Sequence, residues 1–309
     1  MKAAGTKKSR KHYGLREQMA LQSMIFPAIL VLFVFSYVPM YGIVIAFKDF
    51  RITDGIFGSP WVGLKYFQQF LVDPSLWKVL RNTMVLNVVG TLICFPTPII
   101  LAVLISELKN KSFKKVAQTV SYLPYFLSWV IFAGLIMEML RPSGIFSDIC
   151  VALGISKDPI NFMAHGSWFY AIYILSSLIK GLGYGSIIYV AALSGVDQEI
   201  YEAATVDGCS RLQRIWYVSL PSIMGTVVIM LILQIGSILN TGVEQILIFQ
   251  NPLNLNFSET LDTYVYKIGI SQGRMSYSTA VNLLKSLVSV VLLCIANGTS
   301  RKLTEKSLF

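Results

Sequence analysis

Six stretches of this 309-residue chain run for about twenty residues or more with almost no charge. That is the length an α-helix needs to cross the hydrocarbon core of a bilayer. Within that core only helices and closed barrels satisfy their own backbone groups. The stretches run from Leu21 to Phe47, Thr83 to Ile105, Gln118 to Leu140, Ser167 to Leu193, Leu220 to Gly242 and Tyr277 to Asn297. Pro27 and Pro39 in the first and Pro96 and Pro98 in the second are expected to kink their helices, since each removes a donor from the ladder. Composition agrees: 54% of residues are hydrophobic and 14% charged, whereas a soluble domain carries about 25% charged residues. The chain reads as an all-α polytopic membrane protein with six transmembrane helices, a multi-pass resident of the plasma membrane with the lipid bilayer as its first partner.

The first apolar stretch is about 27 residues long, against the roughly 7–15 of a signal-peptide core. It is expected to be a retained span. Orientation follows from the Lys and Arg residues between spans. The N-terminal tail carries Lys2, Lys7, Lys8, Arg10, Lys11 and Arg16; the loop after the second span Lys109, Lys111, Lys114 and Lys115; the loop after the fourth Arg211 and Arg214; the C-terminal tail Arg301, Lys302 and Lys306. The longer loops on the other side are sparser in positive charge, which places both termini in the cytoplasm. The domain expectation is a basic tail over 1–20, a membrane domain over 21–297 that includes a cytoplasmic loop at 195–221, and a tail over 298–309. The net charge of +10 sits at span ends and not on one soluble face, so nucleic acid is not an expected partner.

Between the first two spans, Phe57, Trp61, Phe67, Phe70 and Trp77 alternate with charge, the composition of a helix lying in the headgroup plane; a plain connecting loop is the alternative. No phosphate-cradling G-x-x-x-x-G-K-[ST] stretch is present. Lys285-Ser286 lacks the glycines, and there is no nucleophile elbow. His12 and His165 are isolated, and Cys94, Cys150, Cys209 and Cys294 lack metal-ligand spacing. No disulfide, metal, resident cofactor or catalytic residue is expected, and the chain does not read as an enzyme.

The longest polar interval of the second half is EIYEAATVDGCSRLQRIWYVSLP, Glu199 to Pro221. Gln198 to Val206 is a candidate short helix. Gly208 permits a turn that a side chain would hinder, and Ser210 suits the cap of a second short helix over Leu212 to Tyr217. Leu220-Pro221 then opens the fifth span, Pro being tolerated in a first helical turn. Two short helices at an angle would make a rigid lever. Ala203 and Ala204 would let it sit closely in a partner's groove, and Glu202 and Asp207 would offer it charge.

Glu202-Ala203-Ala204, then Gly208, then Leu220-Pro221 at this spacing resembles the coupling loop of permease subunits of ATP-binding-cassette importers; Val218 stands where that pattern usually has Ile. Pro60-Trp61-Val62-Gly63-Leu64 with Tyr66-Phe67 resembles the first outer loop of sugar permeases. Asp262-Thr263-Tyr264-Val265-Tyr266, Tyr277-Ser278-Thr279-Ala280-Val281, Lys285-Ser286 and Asn297 resemble the complex-oligosaccharide subgroup of the maltose-type family. The resemblance covers the chain from Leu21 onward. It implies a type I importer permease fold in a bacterial cell membrane and a second homologous permease as heterodimer partner. It also implies two ATPase subunits that bind ATP and Mg, an extracytoplasmic solute-binding protein, and import of oligosaccharides by alternating access.

A sugar path asks for aromatic faces, amides and hydroxyls. The third span offers Tyr122, Tyr125, Phe126 and Trp129; the fourth Ser177, Lys180, Gly181 and Tyr184; the fifth Gln234, Ser237, Asn240 and Thr241. Gln234, Ser237 and Thr241 would share one helix face. The resemblance implies sugar near Phe126, Gly181, Tyr184 and Gln234. Packing between helices is the alternative role for all of them. Three charges lie inside spans, where a partner or a cavity is required. Glu138 and Lys285 are expected to pair. Lys180 would either meet an acidic sugar or donate to carbonyls in a water-filled cavity. Two other functions stay open: an importer of the same architecture for a non-sugar solute, and an ion-coupled secondary transporter, for which no inverted repeat is visible.

Overall fold

A computed structural model describes residues 15–304. The basic residues from Lys2 to Lys11, His12 and Lys306 lie outside the described residues. Among the described residues the secondary structure is helical, with no strand beyond one isolated bridge between Lys48 and Trp61.

Among the described residues six helical segments are long and apolar enough to span: Gln22–Phe47, Leu76–Ser106, Trp129–Ala152, Trp168–Ser194, Arg211–Gly236 and Met275–Lys302. Pro39 and Pro96 act as expected, whereas Pro27 lies inside an unbroken helix, Leu15–Leu32. Pro39 cannot donate to the carbonyl four residues back, and around it the first span passes through a π turn, Phe33–Tyr37, into a 3₁₀ segment, Val38–Phe47. The second span breaks at Phe95, between Leu76–Cys94 and Pro96–Ser106.

Three expected boundaries are corrected. The third span is not one helix over Gln118–Leu140. An amphipathic helix, Lys111–Tyr122, ends in a 3₁₀ turn, Leu123–Phe126. Leu127 and Ser128 are extended. A new helix, Trp129–Leu140, then starts under a Ser128 cap that accepts from the Ile131 amide. Pro124, which has no N–H, and the Ser128 cap together account for the break. The fifth span ends at Gly236 and not at Gly242, so Thr241 lies beyond its helix. The sixth helix continues past Asn297, as Met275–Thr304.

The expected headgroup helix is a seven-residue helix, Lys65–Leu71, that buries Tyr66 and Phe70 against Tyr264 and Tyr277. Phe57, Trp61 and Trp77 stay exposed. The segment between the fifth and sixth spans folds into short helices, Val243–Phe249, Leu255–Ser258 and Leu261–Tyr266, that cap the far ends of the spans. Asn82, fully buried, donates to the carbonyls of Asn256 (3.0 Å) and Glu259 (2.9 Å) and accepts from Tyr170 Oη (2.7 Å). Gln245 donates to the Tyr173 carbonyl (3.0 Å) and Ser176 Oγ (2.9 Å). Lys78 pairs with the Glu259 carboxylate at 2.5 Å. The cap is thus tied to the second and fourth spans by buried polar groups that each have partners, the condition under which such groups are tolerated at this depth.

Apolar packing falls into three layers from the cap to the opposite end. Phe70, Leu76, Tyr264 and Tyr277 centre the first. Leu86, Phe169, Ile246 and Phe249 centre the second. Ala102, Tyr189, Leu193 and Ile223 centre the third, beside the polar loop between the fourth and fifth spans.

Candidate functional site

The polar loop forms one helix, Gln198–Val206, with both ends defined. Asp197 caps its start by accepting from the Glu199 amide at 3.1 Å. At its end the Cys209 amide donates to the Ala204 carbonyl (3.0 Å) and the Gly208 amide to the Thr205 carbonyl (3.1 Å), with Gly208 at φ +79°. This is the paired bonding of a Schellman ending. A capping box of Ser210 and Gln213 starts the next helix.

The expected angled pair of short helices is corrected here. Arg211–Arg214 continues through a π turn, Ile215–Ser219, into the fifth span without a break. Pro221 lacks the N–H that Tyr217 would have accepted from, and the wider turn takes up that register change. The projecting body is therefore Gln198–Val206 held on a rigid extension of the fifth span. Tyr201 Oη meets Ser219 Oγ at 3.1 Å, Arg214 donates to Thr205 Oγ1 at 3.0 Å, and Arg214 also lies 3.9 Å from Glu107 at the end of the second span. Glu202, Ala203, Asp207 and Gly208 are exposed, and Val206 is 88% exposed. Ala204, expected to face a partner, is turned inward and buried. Leu220 is half-buried and Pro221 exposed at the base.

Toward mid-span, a cavity of about 300 Å³ opens between the second, fourth and fifth spans, at the lower end of the roughly 300–1,000 Å³ of ligand sites. Three expected residues line it: Ser177, Gly181 and Gln234. Asn87, Thr91 and Tyr173 line it too and were not singled out from sequence. Gln234 reaches Thr91 Oγ1 at 3.4 Å, and Ser177 donates to Gln245 Oε1 at 3.0 Å. Among the described residues the buried Asn87 Nδ2 has no hydrogen-bond partner. The signal for Asn87 was an amide inside an otherwise apolar run.

The aromatic candidates assemble on another flank of the fourth span. Tyr125 stacks on Tyr184 with ring centroids 3.8 Å apart and planes 2° from parallel, and Phe126 meets Tyr125 edge-on at 5.9 Å. Phe126 is 74% exposed. Trp129 packs edge-on against Phe132, and Tyr122 is half-buried. Ser237, Asn240 and Thr241 do not share a face with Gln234, because the helix ends first. Ser237 donates back to the Gln234 carbonyl at 3.1 Å, Asn240 is exposed, and Thr241 donates through its amide to Asp262 at 2.6 Å.

The internal charges depart from expectation in part. Glu138 does not pair with Lys285. It pairs with Arg141 one turn away, at 2.8 Å, and Lys285 pairs with Asp262 of the cap. The Lys180 ammonium donates to the carbonyls of Pro124, Tyr125 and Leu127, in a buried setting.

Residues 94–305 match the family model of the binding-protein-dependent transport system inner membrane component. Over 304 residues the chain is 41% identical to the polygalacturonan/rhamnogalacturonan transport system permease protein YteP of Bacillus subtilis, covering 98% of this chain and 94% of that one. It is 39% identical to protein LplB of the same organism, with 96% and 92% covered. Among solved structures it superposes on a chain of the bacterial ABC transporter that imports the acidic polysaccharide alginate, with a TM-score of 0.85, 33% identity, and 94% and 97% covered. A second structure, of the alginate transporter with its pentasaccharide-bound periplasmic protein, gives a TM-score of 0.85 at 32% identity, with 95% and 98% covered.

Proposed function

The chain belongs to the family of binding-protein-dependent transport system inner membrane components, and from that premise we propose that it is one of two permease subunits of an ATP-driven oligosaccharide importer. In this reading a binding protein delivers the sugar on the capped side. Two ATPase subunits, which bind ATP and Mg, grip the Gln198–Val206 helix on the cytoplasmic side, where both termini also lie. The chain itself catalyses nothing. The membrane domain runs over 21–297, with basic tails beyond it.

The observation that carries this reading is the mounting of the Gln198–Val206 helix. It is capped at both ends, exposes Glu202 and Ala203, and is braced to Ser219, at the fifth span's base. A load on it passes without a hinge into the fifth span, and through Arg214 and Glu107 toward the second. Those two spans, with the fourth, wall the cavity. Closure of an ATPase dimer would therefore reshape the cavity directly.

The path is proposed to run over Ser177, Gly181 and Gln234, with Asn87 added, and over the exposed aromatic set of Tyr125, Phe126 and Tyr184, completed by the second permease. An amide without a partner and hydroxyls suit sugar hydroxyls; aromatic faces suit pyranose rings. The names of the relatives, whose substrates are polygalacturonan, rhamnogalacturonan and alginate, point to uronate-bearing oligosaccharides as the substrate class. Proteoliposomes holding both permeases, the ATPases and the binding protein should take up galacturonate oligomers in the presence of ATP, and should lose that uptake when Glu202 and Gly208 are replaced. Uptake that persists without ATP, or without the ATPases, refutes the reading.

A further inference from the structure

The ammonium of Lys180 sits near the middle of the Trp168–Ser194 helix, where an isolated charge is costly. It is 7% exposed, and among the described residues it makes no ion pair with a carboxylate. Its bonds instead go to the break in the third span: 3.3 Å to the Pro124 carbonyl, 3.1 Å to that of Tyr125, and a short bond to that of Leu127. An ammonium has three donors and no acceptor, and all three are used. The rings of Trp129 (5.2 Å), Phe132 (5.6 Å) and Tyr125 (5.9 Å) close around the charge, each offering its negative face.

The break is what makes this lysine necessary. A helix that stops inside a membrane leaves carbonyls short of amide donors; at this break the Pro124 carbonyl also accepts from the Leu127 amide at 3.3 Å, and Lys180 meets those of Tyr125 and Leu127. The third span stops at Phe126 and restarts at Trp129. On the near side of the break, the backbone of Ser121 and Tyr122 lies so close to Gly183 that a Cβ there would overlap it. Gly183 and Lys180, one turn apart on the fourth span, therefore hold the near arm and the linker of the break, the first by contact and the second by donation, while Trp129 and Phe132 of the far arm close on the ammonium through their rings. Beside them lies the aromatic set, Tyr125 flat on Tyr184 and Phe126 edge-on.

We propose that Lys180 is a positioning residue: its ammonium pins the break of the third span and so fixes Tyr125 and Phe126 against Tyr184 as a preformed aromatic face of the sugar path. With its donors engaged, Lys180 is not the ligand for a sugar carboxylate. It acts on acidic and neutral sugars alike, through ring placement. Met at this position supplies no donor. Gln supplies two neutral donors on a side chain one bond shorter, so it can meet at most two of the three carbonyls. Arg keeps both the charge and several donors.

The assignment rests on the proposed importer reading only for its transport readout, so the test has two arms. In the first, the complete importer is reconstituted with Lys180→Met, Lys180→Gln and Lys180→Arg, and backbone hydrogen exchange is followed over residues 123–128. Met and Gln should speed exchange there by about tenfold or more relative to the fourth span, with Arg close to the parent. In the second, uptake of galacturonate oligomers and of neutral malto-oligomers that the parent accepts is measured. Lys180→Met should raise KM for every accepted sugar by about tenfold with a smaller change in kcat. Tyr184→Ala should do the same, and the double variant should be no worse than either single one, because both remove one face. Unchanged exchange over 123–128 in the Met and Gln variants overturns the proposal. So does a loss confined to acidic sugars, which would make Lys180 a direct charge contact. A parent complex that moves none of these sugars refutes the substrate reading and leaves the exchange arm to decide this one.

Discussion

Lys285, inside the sixth span, and Asp262, in the cap between the fifth and sixth spans, form an ion pair with each side chain 11% exposed. Asp262 also accepts from the amide and hydroxyl of Thr241 at 2.6 and 3.1 Å, so its lone pairs are filled from two elements. The pair fastens the cap to the sixth span about three turns into its helix, Met275–Thr304. Removing one partner strands a buried charge, at a cost of about 3–5 kcal/mol, whereas replacing both by neutral groups of similar size is often tolerated. Lys285→Met and Asp262→Asn are each expected to lower the thermal midpoint of the detergent-solubilised chain, and the double variant to recover most of the loss. A double variant as unstable as the two losses summed would show that the residues do not act as a pair.

Asp73 gives the cap an acid limit. Burial would raise its carboxyl, but hydrogen bonds from Tyr264 Oη (2.5 Å), the Ser75 amide (2.8 Å) and Tyr277 Oη (2.8 Å) outweigh burial and hold it below the ordinary carboxylate value. A carboxyl lowered on folding stabilises the fold fully above its unfolded value, and that contribution fades as pH falls through the folded one. Midpoints measured from neutral pH into the acid range should therefore drop, and Asp73→Asn should flatten that drop while starting from a lower plateau. Identical acid limbs for the two proteins would remove Asp73 from the account.

Tyr66 sets a limit at the other end. Burial first, and then its bond to Asp49, push its hydroxyl up to about 12. A hydroxyl raised on folding stabilises the fold below its unfolded value near 10, and the contribution is lost as pH rises toward 12. Tyr66→Phe should lower stability at neutral pH and shrink the loss seen between these two values; an unchanged alkaline limb counts against the assignment.

Which features could be read from sequence follows from the range of the forces involved. Spans are set by local apolar length: the first and fourth stretches fall on helical segments of nearly the expected extent, and the second, fifth and sixth overlap theirs with shifted ends. The Gln198–Val206 helix is set by its own ends: Asp197, Gly208 and Ser210 act within a few residues of where they stand. The pairing of Lys285 was misassigned because its partner, Asp262, lies in a segment whose position depends on the folded cap. The same cap hid Asn82, whose partners at Asn256 and Glu259 are far along the chain. Lys78 and Arg81 shortened the expected second span, yet both charges are met by cap groups, the Glu259 carboxylate and the Asn256 carbonyl. The break in the third span was in principle visible in Pro124 and Ser128, but the absence of charge across Leu123–Val130 outweighed them.

Gly208 tests the loop. A Cβ there would meet nothing within 4 Å, so only its φ of +79° resists substitution. Left-handed backbone costs a residue with a side chain about 1–2 kcal/mol, least for Asn. Sugar-stimulated ATP hydrolysis by the assembled importer should fall in the order Gly, Asn, Ala, Val at this position, with the β-branched residue worst. Equal activity across the series would mean the Schellman ending does not hold the helix in its gripping position.

Gln234 tests the cavity. It lies on the wall of the 300 Å³ space, and among the described residues its side-chain amide makes one long bond, 3.4 Å, to Thr91. Its amide is therefore free to exchange that bond for a sugar hydroxyl at little loss, while the buried Asn87 amide opposite has none to give up. Leu at 234 keeps the bulk and removes both donor and acceptor, so one or two hydrogen bonds to the sugar disappear, about 0.5–1.5 kcal/mol each. Uptake KM should rise by about tenfold for Gln234→Leu. Asn87→Leu should act in the same direction, and the pair should be close to additive if the two amides hold different hydroxyls. Parent-like KM in both variants, in an importer that still assembles, would move the sugar out of this cavity and onto the Tyr125–Tyr184 face alone.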